Sequence, residues 1–170
     1  MTLTVSIITL NEEKNLARTL NSVKSFADEI VIVDSGSTDK TEDIAKSFGA
    51  KFVYQKKKKW LGYGPQRNKA IDLANSEWVL NIDADEEISE ELAKEIIKIK
   101  ENKTKFSVYK INFMSVCFSK KIKHGGWSNT YRIRLFKKSS GRFNENNVHE
   151  EFVTKEEIGK IKEYIYHHSY

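Results

Sequence analysis

Apolar and polar residues alternate along the first hundred positions in a pattern that predicts strands and helices in turn. Short β-rich apolar runs predict four strands, at residues 3–9, 30–33, 51–54 and 78–82. Between and after them, apolar residues recur at helical spacing and predict helices at residues 12–26, through 44–48, at 66–74 and at 90–100. Strands that alternate with helices predict a parallel sheet with right-handed crossovers, and therefore an α/β fold.

The pattern changes near residue 103. Strand-like runs at residues 106–118 and 131–136 are accompanied by turn-forming glycines at positions 125, 126 and 141, so we expect a mixed or antiparallel second half. The sequence contains no internal repeat, low-complexity segment or proline-rich linker. We therefore expect the 170 residues to form one domain, with a first half at 1–103 and a second half at 104–170.

The composition is typical of a soluble globular protein, because 39% of the residues are hydrophobic and 31% are charged. The longest apolar stretch is far shorter than the ~20 residues that a membrane span requires. The first apolar run predicts a strand and does not have the pattern of a signal peptide. A single cysteine, Cys117, fits a reducing compartment, so we expect a cytoplasmic location.

The formal net charge is +5, and much of the excess comes from four consecutive lysines at 56–59, which precede Trp60. Such a run favours nucleic acid, anionic lipid or a phosphorylated substrate, and it is equally typical of a solvated loop. No recognised nucleic-acid module accompanies it, so we expect no nucleic-acid partner.

Two aspartates that flank an alanine, Asp83-Ala84-Asp85, directly follow the fourth predicted strand. A turn at the carboxyl end of this strand would place both carboxylates at the mouth of the sheet, where open α/β sheets bind ligands. Hard oxygen ligands of this kind bind Mg²⁺ or Mn²⁺ together with a diphosphate. Because an isolated pair of this spacing is more often a solvated loop, the assignment depends on the rest of the sequence.

Several stretches of the chain together resemble a known family. In order and at about the family's spacing, SIITLNEE (residues 6–13), VDSGSTD (33–39), GPQRN (64–68) and DAD (83–85) resemble the family 2 inverting glycosyltransferases. The later stretches HGGW (124–127), RIRLF (132–136) and VHE (148–150) are similar to a narrower branch, the lipopolysaccharide-core β-1,4-glucosyltransferases. The resemblance covers nearly the whole chain. It implies a GT-A fold, with a mostly parallel central sheet in a nucleotide-sugar-binding half and a mixed acceptor-binding half.

The resemblance also implies which residues bind the donor, a UDP-sugar. Thr9, Asn11 and Glu13 stand in the loop after the first strand, which surrounds the nucleoside in the family. Asp34 ends the second strand, where the family's aspartate binds the uracil or the ribose. Arg67 occupies the position that approaches the nucleotide.

A divalent cation, Mn²⁺ or Mg²⁺, is implied as the cofactor. Asp85 is the expected direct ligand, and Asp83 is expected near both the ribose and the metal. His167 is a candidate for a further ligand, because a neutral imidazole suits Mn²⁺ better than Mg²⁺. Two adjacent histidines at the end of a chain are more often solvated, so this alternative stays open. A bound cation would neutralise the charge of the departing diphosphate as a Lewis acid.

Transfer to a hydroxyl acceptor also requires a carboxylate base on the opposite face of the sugar. Glu150 is the candidate for this base. The family usually has a Glu-Asp pair here, whereas this chain has His149-Glu150, so the identity of the base stays open between the two.

Candidates for contacts with the acceptor come from the second half of the chain: His124, Trp127, Arg134 and His149. Trp127 could stack on a sugar or lie in the core. Arg132 and Arg134 alternate with apolar residues, so both can face phosphate from one side of a strand, although an exposed sheet face explains them as well.

These features predict an inverting, metal-dependent glycosyltransferase. Its donor would be a UDP-sugar, with UDP-glucose as the first candidate, and its acceptor a glycan or glycolipid sugar such as a lipopolysaccharide-core heptose. Contact with the membrane would be peripheral, on the inner face of the cytoplasmic membrane. The oligomeric state is not predicted.

Alternative functions come from different classes. Haloacid dehalogenase phosphatases also use D-x-D, but after their first strand, and the glycine-rich N-terminal signature of sugar nucleotidyltransferases is absent. A nucleotide-sugar-binding module without turnover stays open, since His149 departs from the family pattern. The chain also ends directly after HHSY (167–170), where relatives continue, so a truncated chain and a short member are both alternatives.

Overall fold

The computed structural model describes residues 1–55, 62–117, 120–121, 128–145 and 150–169. The elements up to the fourth strand are β1 (Leu3–Thr9), α1 (Leu16–Val23), β2 (Glu29–Asp34), α2 (Thr41–Ser47), β3 (Lys51–Tyr54), α3 (Tyr63–Leu73) and β4 (Trp78–Asp83). The elements that follow are β5 (Glu86–Ile88), α4 (Glu90–Glu101), β6 (Val108–Cys117), β7 (Lys120–Lys121), β8 (Ser128–Lys137), β9 (Gly141–Phe143), β10 (Phe152–Thr154) and β11 (Ile158–Ser169). A 3₁₀ turn, Lys138–Ser140, joins β8 to β9. None of the helices in these described ranges is long and apolar enough to cross a lipid bilayer.

Nine strands of the described chain form one mixed sheet, in the order β3-β2-β1-β4-β8-β6-β11-β5, with β7 paired to β6. The strands β3, β2, β1 and β4 are parallel to one another. Strand β8 is antiparallel to both β4 and β6, whereas β11 runs parallel to β6 and antiparallel to β5. The parallel first half and the mixed second half that the sequence predicts are therefore confirmed.

The two halves of the chain share one hydrophobic core. Val5 in β1, Ile96 in α4 and Ile165 in β11 are fully buried in the same cluster. Burial of each such side chain contributes about 1.5–3 kcal/mol relative to exposure. A smaller cluster packs α3 against β9 and β10, and the rings of Phe136 and Phe152 stack there with centroids 4.1 Å apart. The strands that carry the site are thus fixed from both faces of the sheet.

Helix α1 is shorter than the sequence predicts, because it begins at Leu16 and not at residue 12. The backbone N–H groups of Glu12 and Glu13 donate to the side chains of Thr41 and Asp39, at 2.8 and 3.1 Å, and not to a helical partner. The residues before Leu16 therefore form a loop that is tied to the start of α2.

Strands β5 and β11 have no counterpart in the sequence prediction. In β11 the pairing with β6 shifts between Ile161 and Tyr164, so two extra residues interrupt the ladder. Lys160, Lys162 and Glu163 are charged, so this stretch also lacks the apolar run by which a strand is recognised. Beyond the bulge, His167 pairs with Glu86 of β5. The two histidines therefore belong to a paired strand and not to a loose chain end.

Candidate active site

Three predicted site residues lie at one edge of the sheet. In the parallel ladders Thr9 is level with Asp34, and Ile8 is level with Asp83, so the carboxyl ends of β1, β2 and β4 meet. A cavity of about 570 Å³ opens at this edge, and we term it the first cavity. The predicted residues in its wall are Thr9, Arg67, Asp83, Asp85, Glu150 and His167. The topology thus brings together residues from both halves of the chain.

Asp83 is held by two arginines. Its Oδ1 lies 2.7 Å from Nη1 of Arg67, and its Oδ2 lies 3.0 Å from Nη2 of Arg67 and 3.2 Å from Nη2 of Arg134. Burial alone would raise the pKa of Asp83, but the charges of Arg67 and Arg134 outweigh burial and hold this pKa well below its ordinary value. Asp83 is therefore ionised, with both oxygens facing guanidinium groups.

Behind Asp83 lies a carboxyl group that the sequence analysis does not identify. Glu86 is 1% exposed, and its two oxygens accept hydrogen bonds from Nη2 of Arg134 at 2.9 Å and from the Asp83 N–H at 2.8 Å. Burial raises the pKa of Glu86 to about 7, because it outweighs Arg134 and is reinforced by Asp83. No local signal distinguishes Glu86 from the acidic residues beside it, since its burial results from the pairing of β5 with β11.

Arg67 connects Asp83 to Glu150. The arginine is 4% exposed; Nη1 donates to Oδ1 of Asn81 at 2.9 Å, and Nε donates to Oε1 of Glu150 at 3.0 Å. Burial would lower the pKa of Arg67, but Asp83, Glu86 and Glu150 outweigh it and raise this pKa, so the guanidinium stays charged. The position of the Glu150 carboxylate is therefore coupled to the end of β4.

Glu150 lies where two cavities meet. The second cavity, of about 490 Å³, is also lined by Tyr131, Ile133, Arg134, Phe143, Glu151 and Phe152. Glu150 and Arg132 line both cavities. Helix α3 approaches this wall closely because Gly64 has no side chain: a Cβ there would lie 1.9 Å from the carbonyl oxygen of Asn144 and 3.5 Å from Cβ of Glu150.

Asp85 and His167 face the first cavity as a pair. Nε2 of His167 lies 3.2 Å from Oδ2 of Asp85, and the N–H of His168 donates to the Asp85 carbonyl at 3.1 Å. The hydrogen bond with Asp85 raises the pKa of His167, against the opposing effect of burial. The pairing of β11 with β5 thus positions an imidazole beside the second aspartate of the D-x-D sequence.

The pair fits a divalent cation that binds together with a diphosphate. Among the residues that the structure describes, no three His, Cys, Asp or Glu side chains are arranged to hold a metal by themselves. A carboxylate oxygen and an imidazole nitrogen suit Mn²⁺, and such cations commonly take further ligands from substrate phosphates and water. Because Asp83 faces two guanidinium groups, Asp85 and His167 are the better candidates among the three predicted metal ligands.

Asn11 and Glu13 form hydrogen bonds that connect the loop after β1 to the loop after β2. Asn11 has a φ of 54°, and its Oδ1 accepts a hydrogen bond from the Thr38 N–H at 2.8 Å. An Oε of Glu13 accepts from the Lys40 N–H at 3.2 Å, and Asn11 and Glu13 are both exposed. The cavity wall contains Glu12 instead, a residue to which the sequence analysis assigns no role. Burial, reinforced by nearby carboxylates, raises the pKa of Glu12.

Asp34 shapes the loop after β2. It is fully buried, and its Oδ1 accepts hydrogen bonds from the N–H groups of Gly36 and Ser37, both at 2.7 Å. The adjacent Ser35 lines the first cavity, as does Thr9, whose buried hydroxyl has no hydrogen-bond partner among the described residues. Thr9 therefore presents an available polar group beside the cavity.

The expected acceptor residues divide into two groups. Arg134 lines the second cavity, but it is 3% exposed and its guanidinium bonds to Asp83 and Glu86. The guanidinium groups of Arg132 and Arg134 both lie over the ring of Phe113, and Arg132 is exposed. The predictions for His124, Trp127 and His149, and for the lysine run at 56–59, fall outside the described residues.

The model of the family described as Glycosyl transferase family 2 matches residues 4–154. This match covers most of the chain and includes every site residue named above except His167 and His168. The chain belongs to glycosyl transferase family 2. The resemblance seen in its motifs is therefore confirmed, and this domain is a glycosyltransferase domain.

Two bacterial relatives are similar in sequence to this chain. A Rickettsia bellii (strain RML369-C) protein named as an uncharacterized glycosyltransferase is 48% identical over 110 residues, which cover 64% of this chain and 36% of the relative. The lipopolysaccharide core biosynthesis glycosyltransferase LpsC of Rhizobium meliloti (strain 1021) is 31% identical over 173 residues, which cover 94% of this chain and 60% of LpsC. The chain thus spans little more than a third of the rickettsial relative and three fifths of LpsC.

Solved glycosyltransferase structures share the fold. S. aureus TarS 1–349 in complex with UDP matches with a TM-score of 0.74 and 22% identity, over 99% of this chain and 61% of that chain. Glucosyl-3-phosphoglycerate synthase from Mycobacterium tuberculosis, in complex with Mn²⁺, UDP and glucosyl-3-phosphoglycerate, matches with a TM-score of 0.54 and 24% identity, over 66% and 44%. This likeness confirms the GT-A fold that the sequence motifs imply.

Proposed function

We propose that this domain transfers a hexose, with glucose as the first candidate, from a UDP-sugar to a sugar of an envelope glycolipid, with inversion and with Mn²⁺ or Mg²⁺ as cofactor. One observation carries the proposal: Glu150 lies on the wall common to two cavities, of which the first contains Asp85 and His167. LpsC is named for lipopolysaccharide core biosynthesis, which supports the acceptor class. The UDP complex of TarS and the Mn²⁺–UDP complex of the mycobacterial synthase support the donor and the cofactor.

On the donor side, Asp85 and His167 would hold the cation, which would supply positive charge to neutralise the departing diphosphate. Thr9 and Glu12 lie on the same wall, beside the space for the nucleotide. Asp83 supports the site indirectly, because Arg67 and Arg134 fix its carboxylate at the end of β4. Residues 1–103 thus supply most of the donor side, and β11 contributes His167.

On the acceptor side, Glu150 removes the proton from the attacking hydroxyl. Arg67 fixes Oε1 of Glu150 through Nε at 3.0 Å, which leaves Oε2 to accept that proton. Residues 104–170 form the remaining wall of the second cavity, where the acceptor binds. A base positioned by a buried arginine holds the acceptor hydroxyl so that its oxygen attacks the anomeric carbon from a constant direction while the diphosphate leaves from the opposite face, as inversion requires. We also propose a cytoplasmic location, because the single cysteine fits a reducing compartment. Contact with the membrane would be peripheral.

Glu150→Gln and Asp85→Ala test the two sides of the site separately. We expect Glu150→Gln to retain calorimetric binding of UDP-glucose with Mn²⁺ and to lose at least about a hundredfold in transfer to an envelope glycolipid extract. We expect Asp85→Ala to lose the part of UDP-glucose binding that EDTA abolishes in the wild type. Glu145→Gln, an exposed carboxylate in the same segment, is the matched control and should leave both measurements unchanged.

The results also separate the enzyme from a binding module without turnover. A binding module would bind UDP-glucose in the wild type and in Glu150→Gln, and neither protein would release UDP or transfer sugar. If Asp85→Ala bound UDP-glucose with Mn²⁺ as tightly as the wild type, the assignment of the metal ligands would be wrong.

A further inference from the structure

The turn that carries Asp85 is held by residues that are far from it in sequence. The hydroxyl of Thr19, a fully buried residue of α1, donates a hydrogen bond to the carbonyl oxygen of Ala84 at 2.7 Å. On the other side of Asp85, its own carbonyl oxygen accepts a hydrogen bond from the His168 N–H at 3.1 Å. Because peptide groups are planar, holding the two that flank Asp85 restricts its φ and ψ. Helix α1 and strand β11 together therefore set the direction of the Asp85 side chain.

The bond from Thr19 is not the one that a threonine within a helix usually makes. Such a hydroxyl commonly donates to a backbone carbonyl three or four residues earlier in the same helix. A hydroxyl has one proton to donate, and here the acceptor is 65 positions away in the sequence. The Ser22 hydroxyl, on the same face of α1, accepts a hydrogen bond from the Ile88 N–H at 3.1 Å. Helix α1 thus contacts the segment 84–88 through two hydroxyl groups.

The held peptide group borders the first cavity. Ala84 and Asp85 both line this cavity, whereas Thr19 is fully buried and is not part of the wall. The Asp83 N–H at the start of the turn donates to Oε2 of Glu86 at 2.8 Å, so both ends of the turn are fixed as well as its middle. Thr19 can therefore act on a ligand in the cavity only through the backbone of this turn.

We propose that Thr19 is a positioning residue for the metal site, because its hydroxyl fixes the Ala84–Asp85 peptide group and with it the Asp85 carboxylate. The inference rests on the proposed function, which assigns Asp85 and His167 to the cation. Without the hydroxyl, the Ala84 carbonyl is left buried without this partner, and the peptide group gains by rotating toward another donor. Such a rotation moves Asp85 relative to His167, whose Nε2 now lies 3.2 Å from Oδ2 of Asp85.

Thr19→Val and Thr19→Ser separate the hydroxyl of this side chain from its packing. Valine keeps the shape and removes the hydroxyl, whereas serine keeps the hydroxyl and removes a buried methyl group. UDP is titrated calorimetrically into each protein with Mn²⁺ and with EDTA, and the ratio of the two affinities measures the metal-dependent part of binding. We expect Thr19→Val to lower this ratio by about tenfold and Thr19→Ser to keep it within about twofold of the wild type. In EDTA, both variants should bind UDP as the wild type does.

Thr4→Val is the matched control from the opposite end of β1. Thr4 is also fully buried, and its hydroxyl donates to Oε2 of Glu29 at 2.6 Å, away from the cavity. Both valine variants should lower the urea midpoint by about 0.5 M, because each leaves a hydrogen-bond partner unsatisfied. Since Thr4 is distant from the turn, Thr4→Val should keep the ratio of UDP affinities within about twofold of the wild type.

Three results decide the matter. The proposal is overturned if Thr19→Val keeps the ratio of the wild type, or if Thr4→Val lowers it as much as Thr19→Val, since lost stability would then explain the effect. An equal loss in Thr19→Ser and Thr19→Val would also overturn it, because the hydroxyl would not be the group concerned. If Mn²⁺ does not strengthen UDP binding in the wild type, the metal site of the proposed function is refuted, and this inference with it.

Discussion

Replacing Arg67 by methionine tests whether the ion pairs beneath the first cavity hold the site together. Methionine has a similar length and fills much of the same space, so the variant removes charge without opening a large cavity. It takes away the guanidinium that lies 2.7 Å from Asp83 and 3.0 Å from Glu150. Asp83 retains Arg134 at 3.2 Å, and Glu150 loses the ion-pair partner that orients its carboxylate.

The expected loss of stability follows from burial. Breaking a buried ion pair by removing one partner destabilises a protein by about 3–5 kcal/mol. The side chains of Asp83 and Glu150 are 26% and 16% exposed, so water solvates them in part. We therefore expect the free energy of unfolding to fall by about 3 kcal/mol, at the lower end of that range.

Arg142→Met is a matched control from the same part of the fold. Arg142 makes two bonds to Asp72 of α3, at 2.5 and 2.9 Å, but these side chains are 50% and 59% exposed. Exposed ion pairs contribute about 0–1 kcal/mol, so we expect a loss near 0.5 kcal/mol. The two variants remove the same group from arginine–carboxylate pairs of similar geometry, and they differ in burial.

Urea denaturation followed by circular dichroism measures both variants. With a dependence of about 2 kcal/mol per molar urea, Arg67→Met should lower the midpoint by about 1.5 M and Arg142→Met by about 0.25 M. UDP release from UDP-glucose should also fall in Arg67→Met, because the base is no longer oriented. Equal losses of stability in the two variants would refute the reasoning, since burial would then not decide the energy of the pair.

Three further predictions address the wall, the metal and the pH dependence. Gly64→Ala should lose about 2 kcal/mol of stability and at least about tenfold in transfer, because its Cβ would lie 1.9 Å from a backbone oxygen near the proposed base. His167→Ala should weaken Mn²⁺ binding to the UDP-loaded protein at least about tenfold by calorimetry, since one of two protein ligands is lost. Burial alone would raise the pKa of Glu29, but hydrogen bonds from Thr4 and Asn75 lower it below 4.5. The stability that this carboxylate contributes is therefore present above that pH and is lost as the pH falls through the lowered pKa, so Glu29→Gln should cost about 1 kcal/mol at pH 7 and progressively less as the pH falls below 4.5 in urea titrations.

Each of these predictions has a control. Gly49→Ala places a Cβ in open space at a φ of 70°, so it should lose about 1 kcal/mol of stability without losing transfer. His168→Ala removes a ring that bonds to Glu87 at 2.7 Å, and it should leave Mn²⁺ affinity within about twofold. Glu156→Gln changes an exposed carboxylate and should show no pH-dependent difference from the wild type. A Mn²⁺ affinity equal in the two histidine variants, or a Glu29→Gln loss that persists at low pH, would contradict the respective assignments.

Much of the first half of the fold could be predicted because each element carries its own local signal. Every residue of β1 is buried, and its β-rich run of Leu, Val, Ile and Thr indicates a strand. Helix α4 is capped at its N-terminus by Ser89, whose hydroxyl accepts a hydrogen bond from the Leu92 N–H at 3.1 Å. These signals involve residues that are close in sequence, and tertiary packing reinforces them here. Helix α1 is the exception, since contacts with the next loop displace its first turn.

The sequence by itself determined the order of strands and helices up to β4, the family, and the polar residues at the carboxyl ends of β1, β2 and β4. The tertiary structure decided which charged residues are buried, which are paired and which face the cavities. Arg132 and Arg134 have the same side chain two positions apart, yet the second bonds to Asp83 while the first is exposed. His167 reaches Asp85 only because β11, beyond a bulge, pairs with β5. Local patterns depend on neighbours within a few residues, whereas the solvation and charge of a side chain depend on which distant strand packs beside it.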